Sequence, residues 1–511
     1  MTKNVKKLVL FTVLAIFIIA LCACSKTPAD DIAPVISGLD TVFMDRESES
    51  LDLYAGVSAS DVDGAGIETD VTAGLVVDLP SGANREGNKI TFNNCGDYEL
   101  AYTVKDAAGN ETVQKRLVQV RNIYNVYCVN ATLPVLYCAL DMVSNNYKSI
   151  LTFTRKDTIN MDALDDDRFI YAENGAEDIN LSFAKGMAVG IAKDDQYSYF
   201  RLFLNDAFNQ IELFTFIQHN ISSDRYEVKL VSDGSWTYNT AFPYREDGAW
   251  SKWEANRTLY DGVMAKALAG EFEREDNGRF YVEYEGTRVG SHYYSDSQLS
   301  QMAIMAAQRD NTQLWCAYPE TLRSDDARVQ AEIDKAHMPK MAPDEMYRNL
   351  TEEQKSKFLE IVDFDKTEFD ANYFDKEGKY LIITGTNPFT GSFTDAEFAD
   401  ILSRIGDNYS DYNLLYKPHP SAATPAEGSL TAKWLADNGV KILPGKLPME
   451  VISWVYSDVA MGGFDSSLFM SVPQGNTKFF IARDASSLSV LTKQLYDGGV
   501  FGTPEFYWKA Q

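Results

Sequence analysis

Apolar and polar positions follow two different patterns along the chain. Over residues 33–121, short segments such as 90–92, 99–104 and 116–120 alternate apolar and polar residues, and turns rich in Asp, Gly and Asn separate them. Such alternation is typical of strands that bury one face. We therefore expect a small all-β domain in this part of the chain, arranged as a sandwich.

From Ile123 onward, apolar runs typical of buried strands alternate with helical patterns. The predicted strands cover residues 125–129, 199–204, 226–231, 380–384, 413–416, 440–443, 458–461 and 478–482. Helical patterns dominate residues 296–362, and Thr351 and Thr394 begin two predicted capping boxes. This alternation predicts two parallel-sheet domains, over residues 122–376 and 377–511, that face each other across a cleft.

The chain begins with the pattern of an exported lipoprotein. Basic residues precede an apolar run over residues 8–20, and Cys24 follows it closely. Because the run is short for a retained membrane span, we expect cleavage before Cys24 and a lipid on its thiol, with residues 25–32 as a tether. The alternatives are a plain secretory signal and a single N-terminal anchor. The protein is thus expected to be exported and held on a bacterial membrane.

Composition narrows the choice of partners and ligands. The 511 residues carry a formal net charge of −27, which argues against nucleic acid, because phosphate neutralisation needs clustered Lys and Arg. The four His are well separated and the Cys spacing matches no zinc pattern, so we expect no metal and no bound cofactor. Asp61, Asp63 and Gly64 suggest calcium, but the last acidic ligand of an EF-hand loop is missing, which favours a tight turn. The pairing of the four Cys after the signal stays open.

Polar residues gather at predicted strand ends and helix starts between residues 412 and 482. These residues are Lys417, His419, Glu450, Ser466 and Ser467. Ligands of open α/β sheets bind beyond the carboxyl ends of strands, and phosphates favour helix N-termini. Since Ser466 can cap a helix that begins near Leu468, the region predicts a nucleotide-phosphate pocket. Each residue alone also has an ordinary explanation as a cap or a turn residue.

Several motifs taken together resemble glycosyltransferase family 80, the bacterial sialyltransferases. Residues 230–235 are similar to a family motif of two acidic residues and Gly, with Asp233 as the second acid and Ser232 in place of the first. Residues 416–420 match the His-Pro motif, and residues 448–451 and 463–469 complete the set. The similarity runs from about Asn125 to the C-terminus. Residues 98–110 separately resemble the last hairpin of bacterial immunoglobulin-like surface domains.

The resemblance implies a GT-B arrangement of two Rossmann-like α/β domains, preceded by a small immunoglobulin-like β-sandwich. It implies an inverting, metal-independent transfer of sialic acid from CMP-sialic acid to a galactoside-type glycan. Carried over residue by residue, Asp233 is the general base and His419 stabilises the departing phosphate. The implied donor-side residues are Ser466 and Ser467 on the phosphate, Glu450 on the ribose, Lys417 and Pro420 beside the cytidine, and Gly385 and Thr386 in the adjoining loop.

The acceptor side departs from the family pattern. The residues assigned to this side are Ser235, Asn130, Phe208 and Phe389. Of these, Phe389 replaces a Trp, while Asn130 and Phe208 stand where the family is expected to have His. Because of these departures, the identity of the acceptor and the linkage stay open. A related nonulosonic acid also stays open as the sugar of the donor. The main alternative is a non-catalytic, glycan-binding surface lipoprotein on a transferase-like scaffold. A glycosidase, which needs two carboxylates across the bond, is a third interpretation.

Overall fold

A computed structural model of the protein describes residues 30–63, 66–129, 131–153, 159–164, 167–171, 181–206, 211–232, 234–274, 276, 280–290, 302–385, 393–419 and 425–509. The predicted signal segment with Cys24 lies outside these residues. Two compact units, Met1–Ile123 and Tyr124–Gln511, divide the chain, and each is described by itself. No helix in the described ranges combines the length and the apolar character that a membrane span needs.

Short strands build the N-terminal unit. They are β1 (Val35–Ser37), β2 (Val42–Asp45), β3 (Leu51–Asp52), β4 (Ser58–Val62), β5 (Glu68–Asp70), β6 (Val76–Asp78), β7 (Ala83–Glu86), β8 (Lys89–Phe92), β9 (Gly96–Lys105) and β10 (Glu111–Val129), with a 3-10 turn at Thr72–Gly74. They form the small sheets β1-β4-β5, β3-β8-β7 and β6-β9-β10-β2. Leu53, Ile90 and Val118 are buried in the core, and the Tyr102 hydroxyl donates to the Leu53 carbonyl oxygen at 2.8 Å. The prediction of an all-β N-terminal part is confirmed.

The larger unit contains two parallel sheets, and the first sheet uses the end of β10. Its other strands are β11 (Lys148–Phe153), β12 (Phe169–Ile170), β13 (Ser198–Asn205), β14 (Tyr226–Val231) and β18 (Thr312–Trp315). The order is β12-β11-β10-β13-β14-β18, and β11 pairs in parallel with β10, as β14 does with β13 and β18. A separate antiparallel group consists of β15 (Glu273–Arg274), β16 (Phe280–Tyr284) and β17 (Thr287–Gly290).

Helices connect the strands of the first sheet, and its strand β13 carries buried apolar residues on both faces. Phe200, Leu202 and Phe203 of β13 are all fully buried, as is usual when helices cover both sides of a parallel sheet. The helices that precede the second sheet in the chain are Thr132–Ser144, Leu181–Asp194, Ile211–Gln218, Ser235–Ala241, Ala249–Leu268, Ala303–Ala306, Ala327–Ile333, Pro343–Asn349, Glu352–Ile361 and Lys366–Tyr373, with 3-10 turns at Met161–Ala163, Ser223–Arg225, Phe242–Arg245 and Pro319–Thr321.

The second sheet is built from the last part of the chain. Its strands are β19 (Lys379–Thr384), β20 (Tyr412–Lys417), β21 (Lys441–Ile442), β22 (Ala460–Gly463), β23 (Thr477–Ile481) and β24 (Glu505–Tyr507). They follow the order β21-β20-β19-β22-β23-β24, and every pair is parallel. Its helices are Asp395–Asn408, Leu430–Asp437, Met449–Val455 and Val490–Asp497, with 3-10 turns at Ser467–Ser471 and Ala485–Ser487.

Both sheets have the same strand order. The first strand of each, β10 or β19, lies in the middle; the chain then adds two strands on one side and three on the other. This is the order of a Rossmann fold, in which ligands bind where the chain changes sides. The sequence-based expectation of two Rossmann-like sheets is therefore met by the topology.

Some local predictions are confirmed and others are wrong. Thr351 and Thr394 both form the predicted capping boxes. Strand β18, however, lies inside the region where helical patterns dominate the sequence. The helix predicted to begin near Leu468 is only the 3-10 turn Ser467–Ser471, although Ser466 does cap it, because its hydroxyl oxygen accepts from the Leu468 amide at 3.3 Å.

Candidate functional site

The strand order of the second sheet brings three loops to one edge. Thr384 at the end of β19 stands opposite Lys417 of β20 on one side and opposite Gly463 of β22 on the other. The residues that follow these three strands therefore leave the sheet at the same carboxyl edge. Because the chain changes sides between β19 and β22, this edge is where a Rossmann sheet binds its ligand.

Two glycines let the backbones approach closely at this edge. The Gly385 amide donates to the Lys417 carbonyl oxygen at 2.8 Å, and a Cβ atom on Gly385 would lie 2.6 Å from the Tyr416 hydroxyl. A Cβ atom on Gly463 would lie 2.3 Å from the Thr384 carbonyl oxygen. Neither position has room for a side chain. The predicted loop residues Thr386 and Phe389 lie outside the described part of the chain.

Lys417 is buried, with 3% of its surface exposed. Its ammonium group donates to the carbonyl oxygens of Pro418, at 2.9 Å, and Gly445, at 2.7 Å. Burial lowers the pKa of Lys417 to about 8, although the negative charge of Glu450 acts in the opposite direction. The side chain thus ties the loop after β20 to the segment that precedes Glu450.

His419 and Glu450 flank this buried lysine. His419 is partly exposed two residues after β20, and burial together with the positive charge of Lys417 lowers its pKa. Glu450 lies in the first turn of the helix Met449–Val455; burial raises its pKa, against the effects of its own backbone amide and of Lys417. The structure therefore brings these three predicted residues together. Pro420, the fourth of this group, lies outside the described residues.

Ser466 and Ser467 follow β22 and are both exposed. The residue before them, Asp465, holds their turn in place: its carboxylate accepts from the Ser489 amide and from the Thr492 hydroxyl, each at 2.5 Å. Sequence reasoning gave Asp465 no role, since its partners belong to the later helix Val490–Asp497 and its cap. A five-residue 3-10 turn has a weaker dipole than a full helix, so the hydroxyl groups of Ser466 and Ser467 are the main candidates for anion binding in this turn.

The first sheet approaches this turn through Gly234. This residue has a φ of +62°, which favours glycine, and a Cβ atom built on it would lie 3.4 Å from the Cβ atom of Ser467. The motif of residues 230–235 and the two serines, predicted from separate parts of the sequence, are thereby brought together. Asp233 itself lies outside the described residues, as do Asn130 and Phe208.

A buried polar network includes Ser232, the residue that stands in place of the first acid of the motif. Ser232 is 1% exposed and its hydroxyl oxygen lies 2.6 Å from that of Thr237, which in turn donates to the Asp206 carboxylate. Asp206 follows β13 and is 4% exposed. Sequence analysis missed it as a site residue; its place after a buried strand was the available signal. Ser235 begins the helix Ser235–Ala241 directly after the turn.

A group of three carboxylates and a cavity both lie away from this edge of the second sheet. Within the described ranges, the side chains that form a group of three metal-ligating carboxylates are in the N-terminal unit and not at this edge. A cavity of about 590 Å³ in the larger unit is lined by residues that include Tyr318, Trp454 and Met470, and by none of the predicted site residues. The candidate site is therefore the carboxyl edge of the second sheet, where Gly234, which follows β14 of the first sheet, approaches Ser467.

Comparison with known proteins gives similarity at the level of structure. No protein-family model matches the chain, and no curated protein matches it. A 2,6-sialyltransferase of a Photobacterium species, solved with CMP and lactose, is 15% identical, with a TM-score of 0.54 over 92% of this chain and 95% of that one. An α/β-galactoside α-2,3-sialyltransferase from Photobacterium phosphoreum is 16% identical, with a TM-score of 0.54 over 76% of this chain and 98% of that one.

A further match is decisive for the arrangement of the two sheets. The GT-B domain of a Photobacterium damselae sialyltransferase is 18% identical, with a TM-score of 0.50 over 76% of this chain and 100% of that one. This chain has the GT-B fold. The predicted GT-B arrangement is confirmed, and the edge that carries His419 and Ser467 belongs to the second of the two GT-B sheets.

Proposed function

We propose that the protein is a glycosyltransferase that moves sialic acid from CMP-sialic acid to a hydroxyl group of a galactoside-type glycan. One observation carries the proposal, namely the close approach of Gly234 to Ser467 across the two sheets. The chain neighbour of Gly234 is Asp233, the base that the family resemblance implies, and Ser467 is one of the implied phosphate ligands. The GT-B fold, shared with sialyltransferases of which one was solved with CMP and lactose, supports the same reaction class.

The proposed reaction is inverting and uses no metal ion. The acceptor hydroxyl oxygen forms a bond to the anomeric carbon from the face opposite CMP, and the bond from that carbon to the phosphate oxygen breaks. Asp233 takes the hydroxyl proton. The electron pair of the broken bond goes to the phosphate, where protonated His419 and the hydroxyl groups of Ser466 and Ser467 stabilise the new charge.

We assign the neighbouring residues to donor binding. Glu450 accepts hydrogen bonds from the ribose hydroxyl groups, and Gly385, Thr386 and Pro420 border the nucleotide. The contacts of Lys417 favour a positioning role, because its ammonium group is occupied by the carbonyl oxygens of Pro418 and Gly445. Its positive charge and its hold on the loop both act on His419.

The rest of the chain is assigned to anchoring and acceptor recognition. We propose that Cys24 carries a lipid that holds the exported protein on a bacterial membrane, and that residues 33–121 form an immunoglobulin-like spacer. Residues 122–376 then bind the acceptor and residues 377–511 the donor. Asn130, Phe208, Ser235 and Phe389 are proposed to set the acceptor. The differences of Asn130, Phe208 and Phe389 from the family pattern make an unusual glycan or linkage part of the proposal.

Release of CMP tests this function. The protein from residue 25 onward, incubated with CMP-sialic acid and a panel of galactosides that includes lactose, should release CMP only when an acceptor is present, with or without a chelator. Asp233→Asn should reduce this rate at least about 100-fold, because the proton acceptor is lost. The matched control Asp247→Asn, at an exposed carboxylate, should behave as the unaltered protein does.

The opposite results define the alternative. If glycan binds without CMP release, and equally well in the unaltered protein and in Asp233→Asn, the result would favour a non-catalytic glycan-binding protein over an enzyme. Transfer that survives Asp233→Asn would leave the reaction standing but remove Asp233 as its base. Loss of activity on chelation would contradict the metal-independent mechanism.

A further inference from the structure

Three carboxylates from distant parts of the sequence meet in the N-terminal unit. Asp30 precedes β1, Asp61 belongs to β4, and Asp106 lies in the turn between β9 and β10. One oxygen of each lies within 4.8 Å of the others. Ligand oxygens at the usual 2.3–2.6 Å from Ca²⁺ lie at most about 5 Å apart, so this spread fits a shared calcium ion.

One oxygen of the Asp61 carboxylate lacks the partner that a buried carboxylate oxygen normally has. Only 7% of the residue is exposed, and its Oδ1 atom is buried without a hydrogen-bond partner among the described residues. An ionised carboxylate in such a place is costly unless it is paired or bound to a metal. Burial, and then the negative charges of Asp106 and Asp30, raise the pKa of Asp61. The missing component is a positive charge.

The other two carboxylates are held in position by the backbone around them. Asp106, 8% exposed, accepts from the amides of Gly109, at 2.6 Å, and Asn110, at 2.8 Å, and from the Asn110 side chain at 2.7 Å. The same side-chain amide donates to the Asp30 carbonyl oxygen at 3.1 Å. Asn110 thus fixes both neighbours of Asp61. The Oδ2 atom of Asp106 accepts one hydrogen bond, from the Asn110 side chain, and keeps a lone pair for a further ligand.

We propose that Asp30, Asp61 and Asp106 form a calcium site in the N-terminal unit. Oxygen ligands alone, with no His or Cys in the group, favour a hard cation over zinc. The site differs from the loop considered in the sequence, because Asp61 takes part without Asp63, whose carboxylate accepts from the Ile67 amide. The bound ion joins the segment before β1 to β4 and to the turn after β9. Calcium therefore fastens the start of the described chain to the body of its unit.

Calcium titration of the full-length protein tests the site. After treatment with a chelator, calorimetry with CaCl₂ should show binding with a Kd of about 0.1–1 mM, the range of extracellular calcium modules. Saturation should raise the first thermal unfolding midpoint by about 5 °C. Absence of both signals, or an equal response to MgCl₂, would overturn the proposal.

Variants separate ligand loss from misfolding. In chelator, Asp61→Asn should unfold at the same temperature as the unaltered protein or higher, because mutual repulsion is removed; with calcium it should gain no stability. Asp30→Asn, at a half-buried position, should weaken calcium binding about tenfold. Asp78→Asn, at an exposed carboxylate of the same unit, should bind as before. A full calcium response in Asp61→Asn would contradict the assignment. None of these measurements depends on CMP-sialic acid.

Discussion

The charge of His419 is set by opposing influences. Burial and the positive charge of Lys417 lower its pKa, whereas a bound phosphate would raise it. Without phosphate, the imidazole is therefore mostly neutral at neutral pH. In the proposed function, proton uptake by His419 becomes part of donor binding, and burial together with the charge of Lys417 produces this coupling.

The coupling predicts a pH profile. Because the protonated form of His419 is the proposed donor, kcat/KM for CMP-sialic acid should fall as pH rises through a pKa below the ordinary 6.5. His419→Asn should lower kcat by about 10²–10⁴-fold and abolish this fall. His337→Asn, which alters a histidine remote from the site in sequence, should keep it. If kcat/KM of His419→Asn falls over the same pH range, another group is responsible for the titration.

At the scale of elements, the turn after β22 depends on Asp465. Its carboxylate connects the turn to the cap and first residues of the helix Val490–Asp497, so Ser466 and Ser467 keep their places although both are exposed. A short 3-10 turn has few internal hydrogen bonds to hold it. The positions of the two serines therefore depend on a helix that begins after the next strand, β23.

Asp465→Ala should raise KM for CMP-sialic acid about tenfold and leave kcat less affected, because the phosphate ligands lose their fixed positions. Thr394→Ala is the matched control at the cap of another helix that accompanies the second sheet. It removes a capping box and should cost about 1 kcal/mol of stability without changing KM. Steady-state kinetics and thermal unfolding of both variants distinguish the two effects. An equal KM change in both would show that general destabilisation is responsible.

Elements that depend on local chemistry were predictable. The capping boxes at Thr351 and Thr394 need only neighbouring residues, and β14 has the predicted bounds because its buried apolar residues alternate with Glu227 and Lys229, a clear strand pattern. Strand β18 was missed because its four residues include polar Thr312 and Gln313, and its strand state comes from pairing with β14. Sequence alone does not show such a partner.

The site was predictable in its residue types and less so in its contacts. Lys417 and His419 could be identified from the loop that holds them, but the direction of the lysine ammonium is set by Gly445, which belongs to a different loop. Asp206 and the carboxylates around Asp61 could not be found by spacing, since their partners come from distant positions. Charge clusters of this kind appear only once the chain is folded.

At the scale of the whole larger unit, the loop after β14 and the turn after β22 approach each other through very small residues. Gly234 has no side chain, and a Cβ atom built on it would have the Ser467 side chain as its nearest neighbour. A larger group at either position would occupy the space between the loop and the turn and displace Asp233, the proposed base, from the proposed phosphate ligands. The small size of these two residues therefore allows the proposed base and the proposed phosphate ligands to lie close together.

Ser467→Leu should therefore abolish acceptor-dependent CMP release while the thermal unfolding midpoint changes little, because the position is exposed. Ser467→Ala, which loses the hydroxyl group but adds no bulk, should reduce the rate by no more than about tenfold. Ser410→Leu, at an exposed position after another helix, should retain full activity. Equal losses in the leucine and alanine variants would show that the hydroxyl group, and not its size, is what matters.

The strand order also governs how the chain is assembled during synthesis. Strand β19 has β20 beside it soon after it is made, but its other neighbour, β22, begins only at Ala460. Until then, one edge of a strand with fully buried Leu381, Ile382 and Ile383 has no pairing partner. Unpaired apolar edges are where nascent chains associate wrongly, and distant pairing partners slow folding. Strand β19, at the centre of the second sheet, therefore needs protection until β22 has left the ribosome.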